Sequence, residues 1–352
     1  MNKLIETLTS IPSACGHEYD VIRYLRDRLK DKASECHVDG LGNLIVRMDG
    51  GLPGPTLMIS AHSDEVGFIV KKIENNGLIR FEKIGGNDDR ILPIEKVVVC
   101  TQKGPVKGLI GFISAHMRKF DKADMIRPYN QLYIDVGAKD KADAEAMGIE
   151  IGDAIVWGTQ YEEFGNGRAM GHAFDDKVGC AIQAKIIEEL DFSKVRGTVY
   201  FIFSVQEEVG LRGARTASHA IHADVALSID TTAASDTFES MMDQMVCLGK
   251  GPGIKAMDFS FISSVAVRRK LQKVAKENNI PYQLEVFTGI GTDAGELHMS
   301  HEGVPTGSVS VPSRNAHTAL EVIDLQDVEY AKQLLEAFIL ALEDKDEFAF
   351  VK

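Results

Sequence analysis

Apolar residues recur in two rhythms along this chain, and the change between them divides it. Leu4, Ile5 and Leu8, then Val21, Ile22, Leu25 and Leu29, return at the spacing of amphipathic helices. "GLGNLIVRM" and "PTLMISAH" follow as strands, separated by the turn-rich "DGGLPGP". From about Gly67 to Gly165 short β-like pieces alternate with turns at Asn76-Gly77, Gly85-Gly86 and Gly104-Pro105, and helical periodicity is confined to "DKADAEAMG". After "GNGRAMGHAFDD" helices and strands alternate again. Val178, Ala181, Ile182, Ile186 and Leu190 make one helix face. A strand at 197–205, a short helix near 213–221 and the strand "VALSID" come next, then a long polar loop. A helix near 262–278, strands near 282–287 and 306–311, and a helix from Gln326 to Leu342 close the chain. The pattern implies an α/β fold: a mixed, mostly parallel sheet flanked by helices, formed by residues 1–66 and 166–352. Residues 67–165 read as a small inserted β-rich domain, PDZ-like or barrel.

Composition changes this picture little. The 352 residues are 44% hydrophobic and 26% charged, ordinary for a globular protein. A formal charge of −13 argues against nucleic acid or an anionic membrane as the main partner and suits carboxylates gathered around cations. Cys15, Cys36, Cys100, Cys180 and Cys247 are scattered without a C-x-x-C pair, which reads as reduced thiols in the cytoplasm. The opening "MNKLIETLTSIPSACG" lacks the apolar core of a secretion signal, and no apolar stretch reaches membrane-spanning length.

The candidate chemistry lies where strands end. Val199 to Val205 is nearly all apolar, the signature of a strand buried on both faces, and Glu207-Glu208 follows it. Adjacent acidic pairs also occur at Asp88-Asp89, Glu162-Glu163 and Glu188-Glu189, so position and not adjacency distinguishes this one. "TLMISAH" delivers His62 and, two residues on, Asp64; "VALSID" delivers Asp230; "PTGSVSVPSRNAH" delivers His317. Asp175-Asp176 sits at a helix start, where the dipole favours carboxylates. Singly, each has a plain reading: a solvated histidine, a helix N-cap at Asp175, a loop carboxylate at Asp230. Jointly they form a set of two histidines and several carboxylates, which suits zinc, cobalt or manganese better than calcium. Strand alternation would point Glu207 and Glu208 opposite ways, leaving one to bind metal and the other to act as general base. His172, His219, His222, His298 and His301 have no comparable context.

The stretches "AHSDEVGF", "AFDDKVG", "VQEEVGLRGA", "SIDTT", "GIGTDAGELHMSHEGVPTG" and "SRNAHTALEVID" span residues 61 to 324. In them the chain resembles the co-catalytic metallo-aminopeptidases that include the glutamyl and the deblocking, tetrahedral aminopeptidases. "LYIDVGAKDKADAEAMGIEIGD" is similar to that family's dimerisation domain. The resemblance implies a zinc-peptidase-like catalytic domain with two divalent metal ions. His62 and Asp230 would hold one, Glu208 and His317 the other, and Asp175 would bridge them. Glu207 would be the general base, Asp64 would hydrogen-bond His62, and the Asp175–Asp176 peptide would be cis. The implied substrates are short peptides with a free N-terminus, and the implied assemblies are dimers and tetrahedral dodecamers. Ser63, Ile290 and the neighbours of His317 depart from the family pattern, which bears on side-chain preference and not on the ligands. Arg212, Arg314 and Lys250 are available to a pocket for acidic residues. An amide deacylase or dipeptidase on the same scaffold, and a non-catalytic metal-stabilised peptide-binding scaffold, remain the alternatives. A glycosidase needs two facing carboxyls and has no use for the histidines.

Overall fold

The computed structural model describes residues 1–120, 125–238 and 245–351; residues 239–244 of the expected polar loop and 121–124 of the insert lie outside it. Helices α1 (Asn2–Thr9) and α2 (Tyr19–Leu29) bury the apolar positions that their spacing marks. Strands β1 (Glu35–Val38), β2 (Leu44–Asp49) and β3 (Leu52–His62) follow. The chain then leaves this sheet. Strands β4 (Gly67–Ile73), β5 (Ile79–Ile84), β6 (Lys96–Thr101), β7 (Gly104–Gly111), β8 (Tyr133–Asp135) and β9 (Ala154–Trp157) close into a six-stranded barrel, with α3 (Lys141–Ala146) in the β8–β9 connection. Its interior is filled by Phe68, Phe81, Val97, Val99, Ile110 and Trp157. Phe68 stacks edge-on against both Phe81 and Trp157, with centroids 5.1 Å away in each case.

The larger sheet resumes with β10 (Glu162–Phe164) and β11 (Arg168–Gly171), so the return comes just before the expected boundary at 165. Next come α4 (Phe174–Glu189), β12 (Arg196–Ser204), α5 (Arg212–Ala220), β13 (Val225–Ala233) and β14 (Gly253–Met257). The chain ends with α6 (Val265–Glu277), β15 (Gln283–Val286), α7 (Ala294–Leu297), β16 (Thr306–Arg314), β17 (Glu321–Asp324) and α8 (Leu325–Leu340). The sheet order is β1-β2-β12-β3-β13-β16-β17-β11-β10, with β14 and β15 branching from β16.

This sheet is parallel only at its centre and in the β14–β15 branch. β12, β3, β13 and β16 run together, while β1, β2, β17, β11 and β10 pair antiparallel at the flanks. The expectation of a mostly parallel sheet is corrected accordingly. Short loops such as that between β10 and β11 can close only antiparallel pairs, whereas parallel pairs need a crossover helix. Helices cover both faces: α1, α2, α4, α6 and α8 pack on Leu57, Ile59, Phe201, Phe203, Leu227 and Val309. On the other face α5 and α7 meet Met58, Ile202 and Ala226. Double coverage is why the central strands read as continuous apolar runs. No helix is long and apolar enough to cross a membrane among the described residues. None of the five cysteines, all among the described residues, forms a disulfide.

Candidate active site

The parallel strands converge at their carboxyl ends, where open α/β sheets form ligand crevices. His62 closes β3 and pairs with Ser204, the last residue of β12. Beyond it Gln206 adopts a left-handed φ of 55°, which ends the strand direction before Glu207 and Glu208. Those two are therefore turn residues, and strand alternation does not decide their roles. Asp230 pairs with Ser310 and lies inside β13, which runs on to Ala233. His317 follows β16 with a φ of 61°. Asp175 and Asp176 open α4 with non-helical dihedrals, and the peptide bond between them is cis, as the resemblance implied.

The side chains meet. His62 Nε2 is 3.0 Å from Asp175 Oδ1 and 3.9 Å from Asp230 Oδ1. His317 Nε2 is 3.5 Å from Asp175 Oδ2 and 3.2 Å from Glu208 Oε1. Three groups, His62–Asp175–Asp230, His62–Glu207–Glu208 and Asp175–Glu208–His317, each offer ligand atoms within 4.8 Å of one another.

The hydrogen-bond pattern of the two imidazoles tests whether cations fit here. His62 Nδ1 donates to the carbonyl of Asp64 at 3.1 Å, and His317 Nδ1 to the carbonyl of Gly86 at 2.8 Å. A carbonyl only accepts, so each Nδ1 carries the hydrogen and each neutral ring turns the lone pair of Nε2 toward carboxylates. Acceptor faces acceptor until a positive charge comes between them. Without a metal that charge is a proton. Burial opposes it on His62, yet Asp175 and Asp64 hold this imidazole well above its usual range. Burial likewise opposes it on His317, and Glu208 and Asp175 push that ring up to about 12. Burial and neighbouring carboxylates raise Asp230 and Glu207, whose charged forms lack compensation. A donor set with imidazole lone pairs and crowded carboxylates fits divalent cations.

Behind these groups stand carboxylates that hold backbone amides. Asp64 does not bond His62 through its carboxylate, whose nearer oxygen is 3.6 Å from Nδ1. It accepts instead from the amides of Glu207 at 3.0 Å and Glu208 at 3.2 Å, and from the thiol of Cys15. This corrects the expected contact: a fully buried carboxylate needs strong donors, and the turn after β12 supplies two. Glu18 accepts from Gln206 N at 3.1 Å and Gly16 N at 2.8 Å. Glu321 accepts from Asp175 N at 3.1 Å and His317 N at 3.0 Å, and burial followed by nearby Asp175 pushes it up to about 8. Thr231 Oγ1 donates to Asp175 Oδ2 at 2.8 Å. Sequence reading missed Glu18, Thr231 and Glu321. Only the place of Glu321, four residues past His317, hinted at a role. Within the first turn of α4 it is Asp176, not Asp175, whose side chain holds a backbone amide: its Oδ1 accepts from Gly179 N at 3.0 Å. Of the cationic candidates, Arg314 is committed to Asp236 by bonds of 2.7 and 2.8 Å, while Arg212 lies 3.3 Å from Gln206 Oε1.

Residues 42–334 match the sequence profile described as M42 glutamyl aminopeptidase. The chain belongs to the M42 glutamyl aminopeptidase family. It is a peptide-bond hydrolase of the aminopeptidase kind, and M42 members are metallopeptidases, in accord with the donor set above. Among its relatives, a putative aminopeptidase of Acetivibrio thermocellus is 34% identical over 342 residues, covering 95% of this chain and 97% of the relative. The structure of aminopeptidase APDkam598 from the archaeon Desulfurococcus kamchatkensis superposes with a TM-score of 0.94 at 36% identity, covering 100% of this chain and 98% of that one. The TET1 peptidase of Pyrococcus horikoshii, which can assemble into a tetrahedron or a large octahedral shell, matches with a TM-score of 0.88 at 32% identity over 97% of this chain and 99% of that one.

Proposed function

We propose that this protein removes the N-terminal residue from short peptides bearing a free α-amine, with two divalent cations per subunit, zinc, cobalt or manganese. The observation that carries this reading is Asp175. Its two carboxylate oxygens face two different imidazole lone pairs, those of His62 and His317, as a ligand shared by two cations would. His62 and Asp230 would complete one site, Glu208 and His317 the other. Two cations there would polarise the scissile carbonyl and make water nucleophilic at neutral pH. Glu207 would take a proton on its carboxylate from the attacking water and return it to the leaving amine. Asp64 keeps that carboxylate in place by holding the amides of both Glu207 and Glu208.

The bridging assignment predicts that Asp175→Asn lowers cation content at both sites while the fold persists. Elemental analysis after dialysis measures this, and full occupancy would sink the assignment.

The TET1 relative's shells and the similarity of the insert support a dimerisation role for the barrel segment, with dimers closing into tetrahedral dodecamers in the cytoplasm. Light scattering on the purified chain distinguishes dimer from dodecamer. The activity is tested with the cation-loaded protein and a mixture of short peptides, half of them N-terminally acetylated. Stepwise loss of single residues from free-amine peptides alone, abolished by chelator, is the expected result. Release of acetate would make the protein a deacylase.

A further inference from the structure

The two imidazoles are anchored by different parts of the molecule. His62 Nδ1 bonds the Asp64 carbonyl, two residues along its own chain segment. His317 Nδ1 bonds the carbonyl of Gly86, in the loop that follows barrel strand β5. Two further contacts moor the His317 loop to the barrel. Ala319 is buried in the barrel's own apolar cluster. Thr159 Oγ1, just past β9, donates to the Ala319 carbonyl at 2.5 Å. Glycines let the β5 loop approach: a Cβ on Gly86 would lie 3.3 Å from His317 Nδ1. On Gly85, whose φ is +73°, it would lie 3.3 Å from Glu208 Cβ and 2.8 Å from Val66 Cγ1.

The β5 loop is itself fixed by the barrel. Asn87 Nδ2 donates to the carbonyls of Gly67 and Ile84 at 3.2 and 3.1 Å. Lys83 Nζ donates to the carbonyl of Asn87 and to Asp89 Oδ1, both at 2.8 Å. The barrel therefore sets the aim of His317 Nε2 and limits the space beside Glu208. Among the described residues no such contact reaches His62 or Asp230, whose Oδ1 accepts from its neighbour Thr231 N at 2.7 Å.

We propose that the barrel loop at Gly85–Gly86 is a positioning element for the cation held by Glu208 and His317, and not for the one held by His62 and Asp230. The inference rests on the two-cation reading. It makes the sites unequal in a specific way: disturbing the barrel's hold on His317 weakens one cation and spares the other. Substitutions in the outer sphere of a metal site commonly cost about 10–100-fold in affinity.

The test uses two variants of the full chain. Gly86→Ala adds a methyl against the His317 ring, and the nearly isosteric Thr159→Val removes the bond to Ala319 without adding bulk. Gly40→Ala, which has open space around its Cβ, is the control. Each protein is stripped with chelator and titrated with cobalt(II), following d–d absorbance and, after dialysis, elemental content; thermal melts check the fold. The expected result is two cations bound by wild type and by Gly40→Ala. Gly86→Ala should bind one cation with unchanged affinity and the second about 10–100-fold more weakly, with Thr159→Val shifted in the same direction by less. Two undisturbed cations in both variants, or equal weakening of both sites, would overturn the positioning role alone. A wild-type chain that binds fewer than two cations would overturn the two-cation reading, and this proposal with it.

Discussion

Glu207→Gln lowers kcat by about 10²–10⁴-fold, the usual contribution of a positioned general base, while cation content and melting temperature stay at wild-type values. Glutamine matches glutamate in size, and the Glu207 main chain is held independently by Asp64, so the turn survives the change. What is lost is an atom able to take a proton. Elemental analysis alongside steady-state kinetics separates this from the competing role, because Glu207 also lies within ligand distance of His62 and Glu208. Loss of a cation from the variant would make Glu207 a ligand. Turnover within a few-fold of wild type would remove it from the proton transfer.

Lys177→Met destabilises the fold by about 3–5 kcal/mol, the cost of stranding one partner of a buried ion pair. Lys177 has no exposed side-chain surface, and its Nζ lies 3.1 Å from Glu65 Oε1 and 2.5 Å from the carbonyl of Ile11. Glu65 also accepts from Ser13 N at 2.9 Å and faces His172, 3.5 Å away and held below its usual pKa by burial. Removing the ammonium leaves that carboxylate with neutral partners only. The pair joins α4 to the end of β3 and to the segment between α1 and α2, so the loss is felt across the sheet edge that carries His62. Urea unfolding measures it, and the double variant Lys177→Met/Glu65→Gln should recover much of the loss. A single variant as stable as wild type would show that Glu65 finds its charge compensation elsewhere.

The two helices at the start and the four central strands are legible in the sequence because burial imprints a period on them: one face for Leu4, Ile5 and Leu8, both faces for Val199 to Val205. The antiparallel flanks leave a weaker imprint. β10 is three exposed residues, and β17 is short and reads as the approach to α8. His62, Glu208, Asp230 and His317 can be found because ligand-type residues stand out at or near the ends of apolar strands. Glu18, Glu321 and Gly86 act on partners brought near by tertiary structure, through main-chain amides and a carbonyl. Such contacts leave no mark on residue type. For the same reason the carboxylate of Asp64 could be placed near His62 but not on the amides it holds.

The proposed ligand set runs from His62 to His317 with the entire barrel threaded between His62 and Asp175. A ribosome-bound chain that has not yet released His317 cannot assemble both sites, whatever else has folded. On that reading, occupation of both sites together is a late event in synthesis. Cations that bind the folded chain more tightly than the unfolded one would add to its stability through mass action. For a newly made copy, metal supply would then bear directly on survival against unfolding.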